Sequence, residues 1–121
     1  MPVKLRRASE SDAGRIEESW GNLCWLASKQ LGNARGITVG RVIIKKGGSN
    51  PRHCHSDAEE VLYLLRGKLR HSIGDEEVVM EPGDTLVLPP GAFHNALNIG
   101  SQDADMIVAY PTGERNFKPE S

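Results

Sequence analysis

Residues 47–67 read Gly47-Gly48-Ser49-Asn50-Pro51-Arg52-His53-Cys54-His55-Ser56-Asp57-Ala58-Glu59-Glu60-Val61-Leu62-Tyr63-Leu64-Leu65-Arg66-Gly67. Side chains at i and i+2 of an extended strand point to the same side, so His53 and His55 present two imidazoles to one point. Cys54, between them, faces away. Glu60 follows His55 by five residues, an odd offset that an unbroken strand sends to the opposite face, so Ser56-Asp57 is expected to form a turn or bulge. His94 arrives from a stretch distant in sequence and completes a set of three imidazoles and one carboxylate. Such a set suits one divalent ion of Mn, Fe, Co, Ni, Cu or Zn, and affinity order alone does not choose among them. Four protein ligands on an ion that prefers six leave about two positions open, the arrangement of a catalytic centre rather than a purely structural one.

Written as spacings, the first stretch runs Gly47, five residues, His53, one residue, His55, four residues, Glu60, six residues, Gly67. The second runs Gly83, five residues, Pro89, one residue, Gly91, two residues, His94, three residues, Asn98. This pair resembles the two signature motifs of the cupin superfamily, with every fixed position occupied. Each half would arise by chance in a chain of this length on the order of once per hundred thousand. Only 15 residues, 68–82, separate the halves, as in a compact bacterial-type single-cupin protein.

The resemblance implies an all-β fold, a double-stranded β-helix or jelly-roll barrel, with the ion held inside by His53, His55, Glu60 and His94. Members with this ligand set include dioxygenases, oxidases, decarboxylases, isomerases, lyases and proteins that only bind a sugar or another small ligand. The expectation is a metal-dependent enzyme acting on a small oxygenated metabolite, with the ion as Lewis acid or dioxygen anchor and Glu60 as a base besides a ligand. The alternative is a non-catalytic cupin that binds a sugar or organic acid. Fold alone does not decide between them. A homodimer is also expected, since small members pair through outer sheet faces and residues 6–26 offer Trp20, Leu23, Trp25 and Leu26 for contact.

Several residues carry two readings. Glu59 competes with Glu60 for the carboxylate position, and only the six-residue step to Gly67 favours Glu60. Apolar residues follow on both faces (Leu62 and Leu64 with Glu60, Val61, Tyr63 and Leu65 with Glu59), so the outer face is expected to be covered by another sheet or a partner subunit. His71 alternates with Leu69 and Ile73, and is either a candidate catalytic base near the ion or a packed core histidine. Cys54 is a redox thiol or a small buried residue. Trp20 and Trp25 line a ligand mouth or pack in a core or interface. Arg41, Arg70 and Arg115 are carboxylate clamps or solvated charges. Gly67, Gly83 and Pro89-Pro90-Gly91 read as turn architecture, while Asp84 and Asn98 read as residues that tie down backbone.

The remaining chain agrees with one small β domain. It has 121 residues, 15 Lys+Arg against 16 Asp+Glu, and 38% hydrophobic residues, which excludes a nucleic-acid or anionic-membrane partner drawn by net charge and points to a small molecule. The longest apolar runs fall far short of the about 18 residues of a membrane span. The basic start, residues 1–7, is not followed by the apolar run of a secretory signal, so a cytoplasmic location is expected, with Cys24 and Cys54 as free thiols. Glycine and proline signals separate expected strands at 22–27, 37–45, 59–65, 68–73, 77–81, 85–88, 94–99 and 104–110. Residues 11–20 read as a short capped helix. The expected organisation is an N-terminal arm (1–19), the barrel (20–112) and a loosely held polar tail (113–121).

Overall fold

The turn signals cut the chain where expected, and the segments between them pair into two layers. In the computed structural model, which describes residues 3–120, the helix α1 (Ala8–Ala13) is followed by eleven strands. They are β1 (Ile16–Glu18), β2 (Gly21–Ala27), β3 (Thr38–Ile44), β4 (His53–Cys54), β5 (Glu60–Arg66), β6 (Leu69–Ile73), β7 (Glu76–Met80), β8 (Thr85–Leu88), β9 (His94–Asn98), β10 (Ala104–Tyr110) and β11 (Lys118–Pro119). One antiparallel sheet has the order β1-β2-β3-β10-β5-β8 and the other β11-β4-β9-β6-β7. Because each sheet draws strands from both halves of the chain, the architecture is the jelly-roll β-sandwich that the motifs imply. Among the described residues no helix is long and apolar enough to cross a membrane.

Two expectations along the chain are corrected. The helix lies one turn earlier than residues 11–20: the Glu10 carboxylate accepts the Arg7 amide at 2.6 Å, and Gly14 ends the turn with its amide on the Glu10 carbonyl. Ile16, beyond that stop, enters β1 and pairs with Leu23 of β2. The tail is not loosely held either. Lys118 and Pro119 pair with Cys54 and His53 of β4, and the Arg52 guanidinium meets the Glu120 carboxylate at 2.5 Å. The expected arm and tail extend over residues 1, 2 and 121, which lie outside the described residues.

The core lies between the sheets. On β5 the alternation places Glu60, Leu62 and Leu64 inward, while Val61, Tyr63 and Leu65 stay 39–47% exposed on the outer face, where no other element of the described chain covers them. Ala104, Met106, Val108 and Tyr110 form the matching inner row of β10. Fully burying a side chain such as Leu64 contributes roughly 1.5–3 kcal/mol. His71 shares this interior. It is 1% exposed on β6, and neither ring nitrogen has a hydrogen-bond partner. Burial pushes its imidazole down to about 4, so it stays neutral in the fold at ordinary pH.

Gly67 makes the turn between β5 and β6 at φ +96°, and a Cβ there would lie 2.7 Å from the Ala104 Cα. Gly83, before β8, has φ +93° with open space around it. The two positions separate the cost of a left-handed backbone from the cost of a collision. Gly83→Ala is expected to lose about 1–2 kcal/mol in urea unfolding, and Gly67→Ala distinctly more, because backbone must move as well.

His71 yields a second expectation. Its folded pKa lies below its unfolded value, so the unfolded chain takes up the proton first. The stability it contributes is present above about pH 6.5 and is lost as pH falls toward 4. In metal-free protein His71→Leu should flatten the decline in melting temperature over that window and leave stability at pH 7 unchanged or higher, since it removes two unpartnered buried nitrogens.

Candidate metal centre

Four buried donors converge where the two layers face each other. His53 on β4 is the direct ladder partner of His94 on β9, which puts the two imidazoles side by side on one face, their centroids 4.3 Å apart. His55 follows β4 by one residue, and the turn at Ser56-Asp57 then reverses parity, as the odd offset required. Glu60 therefore enters β5 pointing inward, 4% exposed, while Glu59 is exposed to solvent; the carboxylate of the set is Glu60. The second motif reaches back to the first, because the Gly91 amide donates to the His55 carbonyl at 3.0 Å. The donor atoms of His53, His55, Glu60 and His94 all lie within 4.8 Å of one another, a spread that one ion with bonds of roughly 2 Å can draw together.

The hydrogen bonds around the imidazoles set what those atoms are. His53 Nδ1 faces the Pro51 carbonyl at 2.8 Å, His94 Nδ1 the Ala92 carbonyl at 3.0 Å, and His55 Nδ1 the Asn116 carbonyl. A carbonyl only accepts, so each Nδ1 donates its proton there, and each ring turns its Nε2 toward the centre. There the Glu60 Oε1 lies 3.0 Å from His94 Nε2 and 3.4 Å from His55 Nε2. Both Glu60 Oε1 and His94 Nε2 are buried without a hydrogen bond. Ring nitrogens and a carboxylate oxygen gathered at one buried point, two of them without a hydrogen bond, form a donor set that a divalent ion would satisfy, so the residues present fit one.

The surroundings hold these groups in ligand form. Burial alone would raise the Glu60 carboxyl, but the imidazoles of His55 and His94 and the Tyr110 hydroxyl outweigh it and hold the group well below the usual carboxylate range. Burial pushes His53 down to about 4. Tyr110 donates to Glu60 Oε2 at 2.7 Å; burial and then the neighbouring carboxylate push its hydroxyl well above the ordinary tyrosine value, which keeps it a donor.

Tyr110, Asn116 and Phe117 complete the site without having been singled out in the sequence. Tyr110 was legible by parity, as the one polar-tipped side chain in the inner row of β10. Phe117 stacks on His53 with centroids 4.8 Å apart, and the Asn116 side-chain oxygen accepts the Ser56 amide at 2.8 Å. Nothing in the polar composition of that segment marks it. His71 stacks on His94 at 5.8 Å but does not border the cavity described next.

That cavity, of about 210 Å³, opens beside His53 and His55 and is walled by Trp20, Leu23, Trp25, Val42, Met106, Val108, Tyr110 and Phe117. Trp20, Leu23 and Trp25 thus face inward, so three of the four residues expected to offer a dimer contact line the cavity. Of the arginines, Arg41 is bound to Asp105 at 2.9 and 2.6 Å and Arg70 is exposed on the outer side of β6; only Arg115 reaches the cavity. Asp84 accepts the Glu81 amide, and Asn98 donates to the Ile44 and Gln102 carbonyls, both as backbone ties. Cys24 and Cys54 are buried free thiols.

Comparison with known proteins places this site in a family. Germin-like protein 3-5 of Oryza sativa subsp. japonica is 36% identical over 86 residues, 64% of this chain and 38% of that protein. Oxalate oxidase 1 of Hordeum vulgare is 33% identical over 86 residues, covering 64% and 43%. The chain therefore spans less than half the length of these curated relatives. Among solved structures, the oxalate decarboxylase of Lactobacillus farciminis in its formate complex superposes with TM-score 0.81 at 23% identity, over 87% of this chain and 32% of that one. Recombinant oxalate oxidase in complex with glycolate gives TM-score 0.76 at 24% identity, over 84% and 55%. The model of the cupin domain matches residues 40–110, which contain both histidine-bearing stretches and every strand from β4 to β10, and the chain belongs to the cupin family.

Proposed function

We propose that this chain is a mononuclear metal-dependent cupin enzyme whose ion is held by His53, His55, Glu60 and His94 and whose substrate is a small metabolite that chelates through oxygen. The observation that carries the reading is the buried convergence of His94 Nε2 and Glu60 Oε1, neither of them with a hydrogen bond. Oxalate oxidases and oxalate decarboxylases recur among the relatives that bear names of activity, beside one structure named as a cysteine peptidase, and the oxidase was solved with glycolate, which supports a short oxygenated acid as the substrate class.

When bound, a divalent ion supplies Lewis-acid polarisation of an oxygen substituent at a position open to the cavity. The imidazoles of His53, His55 and His94 would hold it, each oriented by a main-chain carbonyl. Glu60 serves as a permanent anionic ligand rather than the base, because a carboxyl held so far below its usual range accepts a proton poorly near neutrality. One carboxylate against a divalent ion leaves a net charge of about +1, which favours an anionic ligand over a neutral sugar. Tyr110 keeps Glu60 Oε2 satisfied and leaves Oε1 directed at the ion. His71, stacked on His94 and away from the cavity, limits the tilt of that ring.

Protein reconstituted with Mn, Fe, Co, Ni or Zn should retain about one equivalent per chain after desalting, measured by elemental analysis. His94→Ala should weaken retention at least tenfold, in line with the loss of an inner ligand. Stripping with EDTA should abolish turnover of a panel of small hydroxy- and keto-acids, oxalate and glycolate included, while circular dichroism stays that of the folded protein. Retention unaffected by His94→Ala would overturn the metal centre; loss of ligand binding with no turnover in any metal form would make the chain a binding cupin.

A further inference from the structure

The cavity beside the ion site has a polar feature that neither ligation nor packing uses. Arg115 borders it from the segment after β10, half-buried, with its guanidinium carbon 4.3 Å from the centroid of the Trp25 ring. The Tyr110 and Phe117 rings stand 5.6 and 5.8 Å away. Among the described residues Arg115 makes no ion pair or hydrogen bond, although its neighbours Glu114 and Asn116 both do. The other charged residue bordering the cavity is Glu18, exposed on β1 and not paired with Arg115. Stacking engages the face of a guanidinium and fixes its plane, while the five N–H donors lie in that plane and stay free for a bidentate acceptor.

We propose that Arg115 is the carboxylate-recognition residue of this site, and that the substrate is a small acid with an apolar, flat body as well as its oxygen donor. The inference rests on the metal-centre reading only for the end of the molecule that meets the ion. Arg115, His53 and His55 border the same cavity of about 210 Å³. One compact acid lying in it can therefore meet both the arginine and the ion site. A bare two-carbon diacid would satisfy those two contacts and leave most of the cavity wall (Trp20, Leu23, Trp25, Met106) facing empty space or water. Apolar walls with a few convergent polar groups are the mark of a site that selects an apolar body and orients it by its polar end.

Three probes separate the terms: mandelate, glycolate (the same head without the phenyl ring) and mandelamide (the same body without the charge). Trp20 and Trp25 are the only tryptophans of the chain and both border the cavity, so tryptophan emission reports its occupancy. With zinc-loaded protein, mandelate should bind at least tenfold more tightly than either glycolate or mandelamide. Arg115→Met, which keeps length and apolar contact with Trp25, should lose at least tenfold in mandelate affinity with zinc uptake unchanged, and Arg115→Lys should fall between. Mandelate binding to Arg115→Met as tightly as to wild type, or to wild type no more tightly than mandelamide or glycolate, overturns the proposal. The titrations are repeated on metal-free protein, where mandelate binding should be weaker and still depend on Arg115. A chain that takes up no zinc then refutes the metal centre while the role of Arg115 is still read directly.

Discussion

An imidazole whose Nδ1 donates to a main-chain carbonyl has its other nitrogen turned the opposite way. Three rings do so here, through the carbonyls of Pro51, Asn116 and Ala92, and their donor atoms converge with the Glu60 carboxylate. Glu60 Oε1 stands 3.0 and 3.4 Å from His94 and His55, and it and His94 Nε2 are buried without a hydrogen bond. A cation relieves this arrangement, and the remaining features of the site follow from the need to keep it in place: the inward parity of Glu60, the Tyr110 hydroxyl on its second oxygen, and the aromatic stack on His53.

The donors come from opposite layers. His53 and His94 belong to the five-stranded sheet, with His55 just past its β4 strand, and Glu60 and Tyr110 to the six-stranded one. An ion at their meeting point ties the layers together at the open end of the sandwich, where Trp20, Trp25 and Phe117 leave a cavity instead of closing the core. Leu62, Leu64, Leu69 and Leu88 fill the remainder, all at most 2% exposed. The apolar pattern of the chain builds a packed half and a hollow half, and the ligand set lies at the second.

Much of this was readable before any coordinates. The spacing of His53, His55 and Glu60 required a break in the strand, and Ser56-Asp57 supplies it; the step to Gly67 chose Glu60 over Glu59, and burial agrees. Strands β2, β3, β5 to β8, β9 and β10 begin and end within one residue of the strands expected between glycine and proline signals, since such residues act locally. What stayed hidden depends on long-range partners. Strands β4 and β11 are two residues each and exist only through pairing with distant segments. Ile16–Glu18 carries no strand alternation of burial, being exposed throughout, and takes its form from β2. Asn116 works through its carbonyl, which every residue type possesses, so no side-chain pattern betrays it. The outer row of Val61, Tyr63 and Leu65 is apolar as expected, but among the described residues no second sheet covers it.

The carbonyl that steers His55 stands 61 positions downstream of the ring it holds. While the segment bearing Asn116 is away from β4, the His55 ring lacks the carbonyl that fixes its plane, even with the strands through β10 paired. One ligand of the centre is thus oriented from the rim of the sandwich, by an edge segment, and not from its packed interior.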